Sequence, residues 1–298
     1  MRKDIKYLFL LFILTAGLIF ALDKVPTVVT SINPYYLIAK EIAGNRLNIQ
    51  LLIKPGSDPH TFSPSISDVK VLSNASLIIA NGLCLDNSYL KNYKNVVYLG
   101  EFIPKDKLLE GSEGDGSDIG NSHEVGYNPH VWLAPDFLID YIIPKIVQEI
   151  SKLDSKNKIY YENNAKKVIT SLKIVSKNLD KLLANQKGSV VILEHPSFMY
   201  LFNKYGIEVL SVEEGHGKEP STSHIKEIIK KAKSKKLLGI FVGPQFNESS
   251  IKTVANELKT EYMILDPLGF KIKAQKISEL FNEVYRVLQS AISKKSGK

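Results

Sequence analysis

From Asp154 to about Asn185 the chain carries one unbroken helical pattern, and that pattern divides everything else. Apolar residues at Ile159, Ala165, Val168, Ile169, Leu172, Val175, Leu179, Leu182 and Leu183 recur at helical spacing, and Asp154-Ser155 supplies a starting cap. A helix of roughly 30 residues is about 45 Å long, enough to run the length of a small domain. On either side, short apolar runs alternate with helical patterns. Before it come the strand-like Val25–Ser31, Leu47–Ile53, Leu77–Ala80 and Val96–Leu99, with helices expected at Pro34–Ala43 and Ser65–Asn74; the second carries Ile66, Val69 and Leu72 as its apolar positions. After it come Ser189–Leu193, Glu208–Ser211, Leu238–Val242 and Tyr262–Leu265. Such alternation predicts an α/β chain of two lobes, each a mainly parallel sheet flanked by helices, joined by one long rigid helix.

The ends and the charge narrow the setting. Arg2, Lys3 and Lys6 precede an apolar run from Tyr7 to Leu22, shorter than the roughly 20 residues that span a bilayer. With Ala21 as a small residue at its end, residues 1–21 are expected to be a signal peptide, and an uncleaved anchor is the competing expectation. No cysteine stands near Ala21 to carry a lipid, which points to a protein free in the periplasm. The formal net charge is +8, and the excess is lysine spread along helical stretches, as in Lys226, Lys230, Lys231, Lys233, Lys235 and Lys236. No aromatic residues interleave with it, so a solvated face fits better than a nucleic-acid surface. Cys84 is the only cysteine; it excludes an internal disulfide and is expected to be a small buried apolar residue. The lobes must therefore be held by their own cores. The expected division is a first lobe over 22–153, a connecting helix over 154–186 and a second lobe over 187–298.

Residues 111–127 break the alternation with Gly111, Gly114, Gly116, Gly120 and Gly126 among Glu113, Asp115, Asp118, His123 and Glu124. This is expected to be a flexible acidic loop, with His123 as an accessory metal-gathering group or as part of a plain insertion.

Three histidines stand in proline-marked turns: Asp58-Pro59-His60, Asn128-Pro129-His130 and Glu194-His195-Pro196. They lie too far apart in sequence for a helix face to unite them. Proline fixes φ and removes a donor, which stiffens the loops that present these rings. Neutral imidazole is a common ligand for zinc, so the expectation is that the fold gathers His60, His130 and His195 around one metal ion. His60 and His195 each follow a strand, where ligands sit in open α/β sheets. Two rings would come from the first lobe and one from the second, placing the ion in the cleft. Trp132 and Phe198 are expected as aromatic walls, His216 as a residue between two glycines and His224 as the start of a helix.

The stretches SDPHTFSPSISDVKVLSNASLIIANGL, NPHVWLAP, HPSFMYLFNKYGIEVL and GPQFNESSIKTVANELKTEYMILDPLG resemble the zinc- and manganese-binding receptors of bacterial ABC importers, in order and spacing from about Val28 to the end. The resemblance is to the zinc-type branch. It implies two α/β lobes joined by a rigid helix, metal at their interface, and a membrane permease as partner to a monomeric receptor. His60, His130 and His195 fall on the family's three histidine positions. Manganese-selective relatives commonly carry Glu at the third, so His195 favours Zn²⁺ over Mn²⁺, in line with three nitrogen donors. For the fourth position the expectation is water, then Asp266 of Leu265-Asp266-Pro267-Leu268-Gly269, then a Glu or His of the acidic loop. Gly243 in FVGPQF departs from the family, where Glu is frequent; if that Glu orients a ligand ring, affinity suffers here.

Two other functions share these features. A three-histidine zinc site with an open position also suits a hydrolase. Glu194 is the base nearest in sequence, but neighbouring side chains tend to point apart there, and no HExxH motif is present. An adhesin is compatible with the same fold. A binding receptor, not an enzyme, is the expected function.

Overall fold

A computed structural model describes residues 25–111, 126–214 and 219–296. The leader expected over 1–21, most of the acidic loop with His123, and His216 lie outside the described residues. The first sheet comprises β1 (Thr27–Thr30), β2 (Asn48–Leu51), β3 (Leu77–Ala80) and β4 (Val96–Tyr98), in the order β2-β1-β3-β4. The second comprises β5 (Val190–Leu193), β6 (Glu208–Ser211), β7 (Leu237–Val242) and β8 (Met263–Ile264), in the order β6-β5-β7-β8. Every strand pairing within these two sheets is parallel. Val28 and Val29 of β1, Ile78 of β3 and Val190 to Ile192 of β5 are fully buried, as strands covered on both faces must be.

Helix α1 (Asn33–Ala43) follows β1, and α2 (Ile66–Ser73) follows the loop after β2. Ser65 caps α2 through its hydroxyl, while Asp68 accepts the Ser65 N–H at 2.9 Å, a reciprocal capping box. Only Leu72 of α2 is buried; Ile66 is 92 % exposed and Val69 46 %, so two of its three apolar positions face solvent. Helical spacing set the stripe, but the helix lies where the sheet leaves it little to cover.

Helix α3 (Ile143–Leu153) is preceded by a π turn over Leu138–Ile142. Pro144 has no N–H to offer the helical ladder, and the widened turn absorbs the missing bond. The connecting helix α4 spans Lys158–Leu183, 26 residues, after a 3₁₀ turn over Ser155–Asn157. It is shorter at its start than the pattern predicts. Asp154 is not its cap: the Asp154 carboxylate accepts the Tyr161 hydroxyl at 2.6 Å and the Asn157 amide at 2.7 Å. Tyr161, Ala165, Val168, Leu172, Val175, Leu179 and Leu183 form one buried stripe along α4, whereas Ile159 is exposed. The stripe packs on α1, α3 and the C-terminal α7 (Ile277–Ser296), so the helix binds to elements of both halves.

One core runs from Val28 through α4 to Ala291, and a smaller one covers the outer face of the second sheet. Alternation within β5 divides the two: Val191 and Leu193 enter the large core, Val190 and Ile192 the small one, beneath α5 (Thr222–Ser234) and α6 (Ser249–Glu257). Cys84 corrects the expectation of burial. It is exposed, with φ of 67°, in the turn that leaves β3.

Candidate metal site

His60 and His130 are set by the same local device. The Asp58 carboxylate accepts the His60 N–H at 3.1 Å, and the Asn128 amide oxygen accepts the His130 N–H at 3.0 Å. In each Asx-Pro-His triplet a short side chain bonds the backbone two residues on, while proline stiffens the residue between. His195 leaves the carboxyl end of β5; Glu194 N–H is held by Phe241 O at 3.0 Å, and Ser197 N–H folds back on His195 O at 2.7 Å.

The three rings converge. Nε2 of His60 and Nε2 of His130 stand 3.0 Å apart, as do Nε2 of His130 and Nε2 of His195. Among the described residues these are the three metal-type ligands grouped together, and no carboxylate joins them. His130 and His195 are 2 % and 3 % exposed, and His60 is half-buried. Zinc–nitrogen bonds near 2.05 Å in a tetrahedral site separate their nitrogens by roughly 3.3 Å, close to the spacing found.

The far nitrogens fix the tautomers. His130 Nδ1 lies 2.9 Å from Asn128 Oδ1, and the Asn128 amide is itself oriented by donating to Pro196 O at 3.1 Å. His195 Nδ1 lies 2.5 Å from Glu213 Oε2. Both partners can accept from Nδ1, and a neutral ring protonated there presents its lone pair at Nε2.

Trp132 packs at a tilt against His130 with centroids 5.0 Å apart and donates its indole N–H to Pro267 O at 2.9 Å. Asn33 donates to Leu268 O at 2.7 Å, so residues of the first half grip the loop after β8. Phe246 covers His195 at 5.0 Å. Phe198 is buried but packs on Phe202 and does not line the cavity between the rings.

Asp266 sits outside the ligand cluster. Its Oδ1 accepts Leu268 and Gly269 N–H at 2.8 and 3.0 Å, and Oδ2 accepts Lys271 N–H at 2.7 Å. The carboxylate shapes the turn that brings Pro267 and Leu268 to the cavity. At Gly243 a Cβ would fall 2.9 Å from both Gln245 Oε1 and Phe246 Cδ2, so the loop after β7 is packed as a glycine loop. The carboxylate on the second-lobe ring is Glu213. Sequence reasoning missed Glu213, Phe246, Gln245 and the ring-orienting part of Asn128; for Asn128 the parallel between DPH and NPH was the available sign. His224 bonds Ser211 O at 2.9 Å through Nε2, apart from the cluster. Glu194 does not line the cavity; burial, then the charges of Glu213 and Glu219, push its carboxyl up to about 7.

Residues 28–291 match the sequence profile of the periplasmic component A of zinc-uptake complexes, ZnuA. A Thermotoga maritima protein provisionally named as metal-binding is 34 % identical over 96 % of this chain and 99 % of its own length. The manganese-binding lipoprotein MntA of Bacillus subtilis is 27 % identical over 74 % of this chain and 72 % of its own. A crystal structure of ZnuA superposes with a TM-score of 0.77 at 25 % identity, covering 90 % of this chain and 99 % of that one. The chain therefore belongs to the ZnuA family, the metal-binding substrate-binding proteins of ABC importers.

Proposed function

We propose that the chain captures Zn²⁺ outside the cytoplasm through His60, His130 and His195 and hands it, as cargo, to the membrane permease of an ABC importer. The observation that carries this is the convergence of three Nε2 atoms, 3.0 Å between His60 and His130 and between His130 and His195, with Asn128 and Glu213 at the far nitrogens of two of the rings. That arrangement suits a bound cation. Three nitrogen donors with no carboxylate among the described ligand groups suit zinc better than manganese. The manganese relative at 27 % identity shows that family membership alone does not choose the metal. Capture without chemistry fits the engagement of the nearest carboxylates: Asp58 accepts the His60 N–H and Glu213 meets His195 Nδ1. In the same proposal residues 1–21 direct export, residues 22–153 and 187–298 form the two lobes about the helix over 154–186, and the receptor acts as a monomer.

Binding requires neutral rings, so zinc and protons compete, and affinity falls as pH drops. Competition for zinc against a chromophoric chelator, repeated with manganese and across pH, tests this reading. The combined variant His60→Ala, His130→Ala, His195→Ala should no longer compete. Undiminished competition would overturn the site, and preferential manganese retention would overturn the metal.

A further inference from the structure

The space between the rings measures about 10 Å³ to the centre of a water-sized sphere, close to the minimum for a single water. It is too small for an organic ligand beside an ion. Apart from the three imidazoles, the side chains lining it that carry a carboxylate or amide are those of Asp58 and Gln245. Asp58 is already engaged: Oδ1 accepts the His60 N–H at 3.1 Å and Oδ2 the Thr61 hydroxyl at 3.4 Å. The Gln245 amide oxygen is not: Oε1 is buried and has no hydrogen-bond partner among the described residues, which is unfavourable where nothing offsets it.

The backbone explains how the amide reaches this place. In the order β6-β5-β7-β8, the chain turns to opposite sides after β5 and β7, and ligands of open α/β sheets gather at the carboxyl ends of such a strand pair. His195 follows β5 and Gln245 follows β7. Gly243 leaves the Gln245 amide the space that a Cβ would take at 2.9 Å.

We propose that Gln245 holds the fourth corner of the metal site: its amide oxygen accepts a hydrogen bond from a water bound to the ion. A metal-bound water is a stronger donor than bulk water, because the ion draws electron density from its oxygen. The cation also selects the oxygen end of the amide. Gln245 is thus a positioning and specificity residue, and its neutrality keeps the fourth corner free of the anionic oxygen that manganese favours. This rests on the zinc-capture reading above.

The test uses the full chain loaded with zinc or with cobalt, whose visible absorption reports coordination. Gln245→Leu should weaken zinc about 10–100-fold, the range for residues that support a ligand. It should alter the cobalt spectrum and leave the melting temperature of the metal-free protein unchanged or higher. Gly243→Ala, which pushes the amide aside, should act in the same direction. Gln245→Glu should narrow the preference for zinc over manganese. Zinc affinity within twofold of the parent and an unchanged cobalt spectrum in Gln245→Leu would overturn the proposal while leaving zinc capture intact, provided His195→Ala still loses zinc. If His195→Ala binds zinc like the parent, both readings fall.

Discussion

The two sheets share one strand order, β2-β1-β3-β4 and β6-β5-β7-β8, yet their switch points are used in opposite ways. In the second, the loops after β5 and β7 bring His195 and Gln245 to the metal cavity. In the first, the equivalent place after β3 is closed by a buried polar cluster. Asp86 accepts the N–H groups of Asn81 and Gly82 at 2.7 and 2.8 Å, and Asn81 accepts the Tyr35 hydroxyl at 2.7 Å. Asn81 then donates to Pro129 O at 3.0 Å, beside His130. The first lobe supplies its rings from elsewhere: the loop after the edge strand β2, and the segment before the 3₁₀ turn of Trp132. Topology offers the same crevice twice, and side-chain chemistry decides which one receives the ligand and which becomes support.

The sharpest way to break this division is to remove the ring at the open switch point. His195→Ala should lower zinc affinity by more than about 100-fold, beyond the 10–100-fold typical of a residue that only supports a ligand. The metal-free fold should persist. Chelator competition reads the first quantity and circular dichroism the second.

The closed switch point should answer in the opposite currency. Asp86→Ala strands two buried N–H groups, and the cost in stability is about 2–5 kcal/mol, while zinc affinity moves far less than in His195→Ala. Burial, opposed by those two N–H bonds, pushes the Asp86 carboxyl up to about 6. Its folded value is above its unfolded one. Its contribution to stability is therefore full below about pH 4 and is lost as pH rises through about 6. Chemical denaturation of the parent and of Asp86→Asn across that window should show the slope in the parent and its loss in the variant. Parallel curves would remove Asp86 as its source.

Between these extremes stand the residues that set the tautomers. Asn128→Ala and Glu213→Gln should each weaken zinc about 10–100-fold. Asn128→Asp should retain more affinity than Asn128→Ala, because it keeps the acceptor at His130 Nδ1 and loses the amide nitrogen's ties to Pro196 O and Met199 Sδ. Nitrogen chemical shifts of the imidazoles in the metal-free protein report the tautomer directly. An unchanged His130 tautomer in Asn128→Ala would sink the orienting role.

What was legible in the sequence follows from range. Strands such as Leu77–Ala80 and Glu208–Ser211, and the helical stripe of α4, are written in local periodicity. The three rings were legible because proline marks their turns, and the structure does gather them. The contacts that hold them are long-range: Glu213 lies eighteen residues from His195 and Trp132 reaches Pro267 across the cleft. No local pattern encodes such pairs. Asp266 shows the reverse case, since Asp before Pro serves a turn as readily as a metal, and here its oxygens are taken by three N–H groups.

The smallest effect is expected where the lobes differ most in helix packing. After β6, α5 buries Ile228 and Ala232 against the second sheet, while α2, after β2, buries only Leu72. An apolar side chain that remains wet contributes almost nothing to the hydrophobic term, so losing it costs almost nothing. Ile66→Ser should therefore change stability by no more than about 0.5 kcal/mol, as surface substitutions do, and leave zinc affinity untouched. Ile228→Ala beneath α5 should cost about 2–5 kcal/mol. Denaturant midpoints of the two variants give the comparison. A loss of 2 kcal/mol or more in Ile66→Ser, on the scale of a core truncation, would mean that a partner covers this face of α2 in solution.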